Sequence, residues 1–203
     1  MTAGSAAGSV SPLETHLILG GARSGKSRHA VELARGAAGR VAVVATAEAG
    51  DADLTARIAR HRAERPAAWA TVEEPRELVA ACRRAAEQAD LVLVDCVTLW
   101  VANRMLGGDA DSRILGATDE LTRLMGERPA ALILISNEVG GGVHPPTADG
   151  LRYRDLLGLV NQRVAAAADR VTLMVAGLAM TVKAPAVPVP DLRGRYREET
   201  HAP

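Results

Sequence analysis

An aliphatic run, His16-Leu17-Ile18-Leu19, passes directly into Gly20-Gly21-Ala22-Arg23-Ser24-Gly25-Lys26-Ser27 and then into a stretch of helical periodicity. The order of strand, glycine-rich turn and helix, carrying the pattern G-x-x-x-x-G-K-[ST], constrains the fold more than any other feature of the chain. Glycines let the backbone curl so that several N–H groups point inward, and the helix that follows adds its positive N-terminal end. Such a loop is suited to the phosphates of a nucleoside triphosphate, GTP or ATP. Lys26 is expected to reach the β- and γ-phosphates, and Ser27 to hold Mg²⁺.

The surrounding sequence agrees with that setting. From Thr15 to Val175 short aliphatic runs alternate with longer amphipathic ones, the pattern of strands buried in a parallel sheet with helices between them. Strands are expected at His16 to Leu19, Val41 to Ala45, Leu91 to Val94, Leu132 to Ile135 and Val171 to Val175, with a weaker one at Ala70 to Glu73. Helices are expected at Lys26 to Arg35, Asp51 to Ala63, Arg76 to Glu87, Ser112 to Gly126 and Leu151 to Ala168. The fold class is therefore α/β, a P-loop NTPase (RecA-like) with a mostly parallel sheet flanked by helices. Ligands of such sheets sit beyond the carboxyl ends of the strands, so the residues just after each strand matter most.

A chain of 203 residues, 48% of them hydrophobic, buries one core, and one domain is expected over 15–183. Residues 1–14 read as a disordered lead-in without the features of a signal peptide, and 184–203 as a Pro-rich polar tail. The 24 basic and 24 acidic side chains cancel, and aromatics make up 2%, so neither a global field nor a stacking platform points to nucleic acid. No apolar run reaches the roughly 20 residues that a membrane span needs. Cys82 and Cys96 lack the number and spacing of a disulfide framework or zinc site, which makes a reducing cytoplasm the expected location.

A triphosphate loop works with a second, metal-side carboxylate at the end of a neighbouring buried strand. Leu91-Val92-Leu93-Val94-Asp95 supplies one. Taken alone, Asp95 reads equally as the cap of a helix beginning at Thr98; beside the loop, the metal role is the better reading.

Further blocks carry a more particular resemblance. They are Gly20 to Arg28; Ala45-Thr46-Ala47-Glu48; Ala56-Arg57-Ile58 with His61 and Arg65-Pro66; and Trp69, Thr71 and Glu73. They continue with Val94 to Trp100 and Asn103, with Asn137-Glu138-Val139-Gly140, and with Val160-Asn161-Gln162-Arg163. In this order, from about Leu17 to Lys183, the chain resembles the adenosylcobinamide kinase/adenosylcobinamide-phosphate guanylyltransferases of cobalamin biosynthesis. The resemblance implies an enzyme that phosphorylates adenosylcobinamide and then transfers GMP from GTP to adenosylcobinamide phosphate, releasing pyrophosphate. It also implies a homo-oligomer, a trimer in the family, to which Asn161-Gln162-Arg163 would contribute a subunit contact.

The resemblance further implies a covalent guanylyl-histidine intermediate, and the matching residue is His61. Arg57, Arg60, Arg62 and Arg65 nearby would keep the imidazole neutral and attract a triphosphate. By residue pattern alone, Leu54, Ile58 and His61 share one helix face, and His61 reads as a packed histidine; the resemblance reverses that preference. Glu48, Ala49 and Gly50 are candidates to line the nucleotide site, as are Arg65 and Glu73, the latter able to accept from a guanine N1–H and amino group. Each of the charged ones reads equally as a solvated charge. Two other functions remain open on sequence, a P-loop small-molecule kinase without nucleotidyl transfer and a nucleotide-dependent switch or assembly ATPase.

Overall fold

Val, Leu and Ile predominate in the central strands because both faces of the sheet are covered there, and β-branched side chains pack well on a pleated surface. The computed structural model of the chain describes residues 14–48, 62–63 and 65–185. Its strands are β1 (Thr15–Gly20), β2 (Val41–Ala45), β3 (Ala70–Glu73), β4 (Leu91–Asp95), β5 (Ala131–Ile135), β6 (Arg170–Val175) and β7 (Leu178–Lys183). Its helices are α1 (Lys26–Gly36), α2 (Leu78–Ala86), α3 (Val97–Leu106), α4 (Asp111–Glu127) and α5 (Ala148–Ala167). Of the helix expected at Asp51 to Ala63, only Arg62 and Ala63 are described, and both are helical.

The seven strands form one sheet in the order β3-β2-β4-β5-β1-β6-β7. All pairings are parallel except β6 with β7, which run antiparallel. Strand alternation divides the core between two layers. Ile18, Val43, Leu93 and Ile133 point to the face covered by α1, where Ala30, Val31, Leu33 and Ala34 are buried. Leu17, Val44, Val92, Val94 and Leu134 point to the other face, against α2, α3, α4 and α5. There Trp100, fully buried, donates its indole N–H to the carbonyl of Arg76 at 2.7 Å, so its donor is not orphaned.

Three features depart from the sequence reading. The helix beginning after Asp95 starts at Val97 with Cys96 at its N-cap and no side-chain cap, so Asp95 does not cap it. β3 is an edge strand and largely exposed, not buried on both faces. β7 is an additional strand that the reading left out, joined to β6 by a two-residue turn in which Ala176 has φ 52° and Gly177 φ 83°. Such a turn suits the twist of a hairpin but is usually signalled by Asn-Gly or Asp-Gly; Ala-Gly hides it.

At the amino end of β1 one carboxylate gathers three elements. Asp169 accepts hydrogen bonds from the amide and hydroxyl of Thr15, both at 2.9 Å. Two nitrogens of Arg128, the αL residue closing α4, also donate to it, at 2.8 and 2.7 Å. These charge-assisted bonds, with Arg128 first among them, hold its carboxyl below the usual carboxylate range. Among the described residues no helix is long and apolar enough to cross a membrane.

Candidate active site

β1 delivers the chain to the carboxyl edge of the sheet, where Gly20 to Ser27 turns it back into α1. Two glycines are required here by geometry. A Cβ on Gly20 would stand 2.6 Å from the carbonyl oxygen of Met174 and 2.6 Å from Ser24 Oγ. Gly25, the N-cap of α1, has φ 97°, a left-handed conformation that costs other residues about 1 kcal/mol or more. The β6–β7 turn buttresses the loop from the side: the Gly177 amide donates to the Ser24 carbonyl at 3.0 Å. Ser24 Oγ is buried and has no hydrogen-bond partner among the described residues. No acidic residue occupies the first turn of α1, which leaves the positive end of the helix uncompensated. Lys26 is buried at the foot of the loop, its ammonium donating to the Gly21 carbonyl at 2.6 Å.

Asp95 ends β4, and β4 is not the neighbour of β1 but the next strand but one, with β5 between. Both strands nevertheless end on the same edge of the sheet, since each runs parallel to β5. The Cys96 thiol, pushed up to about 11 mainly by burial, is also raised by the charge of Asp95 and lowered by that of Lys26. Asp95 is engaged: Arg65 Nη2 donates to its Oδ2 at 2.6 Å, with side chains only 9% and 14% exposed. Both cysteines are free; Cys82 lies in the core with its thiol pushed up to about 12 by burial, so both stay protonated near neutrality.

The ends of β2, β4 and β5 are pinned by polar side chains. Thr46 Oγ1 donates to the Cys96 carbonyl at 2.7 Å and accepts from the Cys96 amide at 2.8 Å. Asn103 holds the Thr46 carbonyl at 2.7 Å and that of Pro75 at 3.2 Å. After β5, buried Asn161 accepts from Ser136 Oγ at 2.7 Å and donates to the Asn137 carbonyl at 2.9 Å, while the Asn137 amide donates to Thr98 Oγ1 at 2.6 Å. Asn161 is thus committed to this chain's interior. Arg163 lies along the surface of its own chain, bonded to the carbonyl of Leu115 and the carboxylate of Asp119, and Gln162 is exposed. The sequence reading gave no role in the site to Thr46, Thr98, Asn103 or Ser136. A polar residue at or beside a strand's carboxyl end was the available signal for Thr46, Thr98 and Ser136; Asn103 lies inside α3, and its place among the family-like blocks was its only signal.

The remaining candidates divide. Glu48 follows β2 and is exposed. Glu73 lies on the outermost strand, four positions from β1 and so roughly 19 Å across the sheet. It pairs with Arg62 at 3.3 Å, both side chains well exposed, and is not brought to the phosphate loop. Ala49, Gly50 and His61 lie outside the described residues. Among the described residues no cluster of three or more His, Cys, Asp or Glu could hold a metal ion.

Comparison with known proteins gives this geometry its context. The family described as "Cobinamide kinase / cobinamide phosphate guanyltransferase" matches residues 16–182. The chain is 48% identical over 167 residues to the bifunctional adenosylcobalamin biosynthesis protein CobP of Pseudomonas aeruginosa, covering 82% of this chain and 96% of that one. It is 39% identical over 179 residues to the corresponding protein CobU of Salmonella typhimurium, covering 82% and 98%. Among solved structures, a prototypical ATPase from the type III secretion system of pathogenic bacteria superposes with a TM-score of 0.55 at 16% identity, over 83% of this chain and 57% of that one. The likeness extends to the fold, a P-loop NTPase sheet.

Proposed function

Because the chain belongs to the cobinamide kinase / cobinamide phosphate guanyltransferase family, we propose that it carries out both reactions around the Gly20–Ser27 loop. It is a bifunctional kinase and nucleotidyltransferase of cobalamin biosynthesis. In the first reaction a nucleoside triphosphate phosphorylates the aminopropanol hydroxyl of adenosylcobinamide. In the second, GMP passes from GTP to the resulting phosphate, giving adenosylcobinamide-GDP and pyrophosphate.

The observation that carries this reading is the placement of the Gly20–Ser27 loop after β1 and of Asp95 at the end of β4 on the same carboxyl edge of the parallel sheet. Phosphoryl transfer through a loose transition state asks for positioning and charge dispersal more than for a strong base. Lys26 would leave the Gly21 carbonyl for the phosphates, and the loop amides would receive their oxygens. The orphaned Ser24 hydroxyl is a donor that a bound phosphate would satisfy. The Ser27 hydroxyl and the Asp95 carboxylate are hard oxygen donors of the kind that suits Mg²⁺, a metal that takes few protein ligands and completes its shell with phosphate and water. Bound there, Mg²⁺ would neutralise phosphate charge. Arg65 would then exchange Asp95 for a phosphate oxygen.

For the second reaction we assign His61 as the nucleophile. Its nitrogen attacks the α-phosphorus, the bond to the bridging oxygen breaks and pyrophosphate leaves; the corrinoid phosphate then displaces the histidine. Glu48, Ala49, Gly50 and Arg65 line the nucleotide for this step, with Glu73, away from the phosphate loop, at the guanine. A homo-oligomer, of trimeric type, is part of the same proposal. The test is incubation with GTP labelled at the α-phosphate. The expected result is a protein-bound label that is acid-labile and alkali-stable and is lost in His61→Ala. Absence of label with the loop occupied would leave a kinase without the covalent relay.

A further inference from the structure

We propose that the cavity beside the phosphate loop is the subsite for the acceptor alcohol of the phosphoryl step, an inference that rests on the kinase reading above. This cavity, of roughly 540 Å³, lies between Gly21–Ser24, the segment Glu138–Gly142 and the end of β6. It adjoins the loop that would hold the triphosphate, because the segment after β5 crosses the end of β1: the Glu138 amide donates to the Gly20 carbonyl at 3.2 Å. That wall is fixed from behind by the Asn161, Ser136 and Thr98 hydrogen bonds to residues 136 and 137.

The lining decides what the cavity can take. Val139, Leu173, Met174 and Val175 give it aliphatic walls, and Arg23 and Glu138 supply its two charged side chains. One Glu138 oxygen accepts from the Gly140 amide at 2.6 Å, and the other is available to accept from a ligand N–H or O–H. A triphosphate gains nothing from aliphatic walls and a carboxylate, whereas the loop amides and Lys26 lie alongside. A neutral molecule with an apolar body, amide groups and a hydroxyl is matched: its carbon skeleton meets the aliphatic walls, its N–H groups Glu138 and its carbonyls Arg23. The apolar surface also continues outward. Leu173 pairs with Met180 and Val175 with Leu178 across the β6–β7 hairpin, and Val175, Leu178 and Met180 are 48%, 71% and 56% exposed. The alcohol arm enters the cavity, and the bulky corrinoid body lies over this strip. In the reaction the acceptor oxygen bonds to the γ-phosphorus, the β–γ bridging bond breaks, the nucleoside diphosphate leaves and the hydroxyl proton passes to solvent.

Val175→Asn and Leu178→Asn remove apolar contact without adding charge at exposed positions, and Glu138→Gln removes the rim carboxylate while keeping its size. Cobinamide phosphorylation and nucleotide binding without acceptor are measured for each, and for the Val175/Leu178 double variant. The expected result is a KM for cobinamide raised about tenfold in the double variant, and less in Glu138→Gln, with nucleotide Kd unchanged within about twofold. Weakened nucleotide binding would assign the cavity to the base and overturn the proposal. Unmoved values of both constants, with cobinamide still phosphorylated, would overturn the subsite alone. Failure of the unaltered chain to phosphorylate cobinamide would overturn the kinase reading and the subsite with it.

Discussion

The Asp95–Arg65 pair is the most consequential contact that single residues make in the site. Two charges held largely out of water at 2.6 Å are mutually dependent; removing one partner strands the other, at a cost of about 2–4 kcal/mol. Arg65→Gln is therefore expected to lower the melting temperature. Magnesium with nucleotide should restore more stability to that variant than it adds to the native chain, because a cation is returned to Asp95. Thermal melts with and without the magnesium nucleotide provide the check, and equal increments in both proteins would deny Asp95 its metal role. The loop and Asp95 were legible in the sequence because each is a local pattern, a strand followed by a fixed set of residues. The pairing of Asp95 with Arg65 was not, since no spacing rule joins residues 30 apart in sequence whose contact depends on how the strands are ordered.

At the scale of elements, the ends of β2, β4 and β5 are set by buried polar clasps, and the clasp on β5 is the more isolated of the two. Asn161 reaches from α5 to both Ser136 and Asn137. Asn161→Leu would take the partner from the part-buried Asn137 carbonyl and leave the buried Ser136 hydroxyl only its long 3.4 Å contact with Thr98 Oγ1, costing roughly 2–4 kcal/mol and lowering the melting temperature by on the order of 10 °C. Combining Asn161→Ala with Ser136→Ala should cost clearly less than the sum of the two, and strict additivity in urea unfolding would show that the bond between them contributes nothing. Helices α1, α4 and α5 and the buried strands followed closely from periodicity. The order of the strands did not, because periodicity says which face is buried and not which neighbour lies beside it. β7 escaped for a different reason. Leu178-Ala179-Met180-Thr181-Val182-Lys183 alternates as a half-buried strand should, yet every residue of it is exposed and its turn lacks Asn or Asp.

For the whole molecule, the two ends of β1 separate function from pH-dependent stability. The carboxyl end carries the phosphate loop. The amino end carries His16, buried and hydrogen-bonded through Nε2 to Thr172 Oγ1 at 2.8 Å, and the Asp169 clasp. Desolvation, aided by the charge of Arg170, lowers the His16 pKa from 6.5 to about 4. Between those values the unfolded chain binds a proton that the folded chain does not, so stability is full above pH 6.5 and declines as pH falls toward 4. At pH 5 the loss is about 2 kcal/mol, or roughly 4–8 °C in melting temperature. The Asp169 carboxyl, held low by Arg128 and Thr15, acts in the same direction at lower pH: its contribution is present above the ordinary carboxylate range and disappears only on further acidification. His16→Gln should flatten the slope of stability between pH 6.5 and 4.5 whatever it does to stability at pH 7, while leaving the steeper acid limb in place. Because His16 and Asp169 lie at the opposite end of β1 from the loop, nucleotide affinity of the folded protein should not follow the same profile. Calorimetric melts and nucleotide titrations over the same pH series separate the two, and a shared midpoint would mean that protonation at the base of β1 reaches the phosphate loop through the strand.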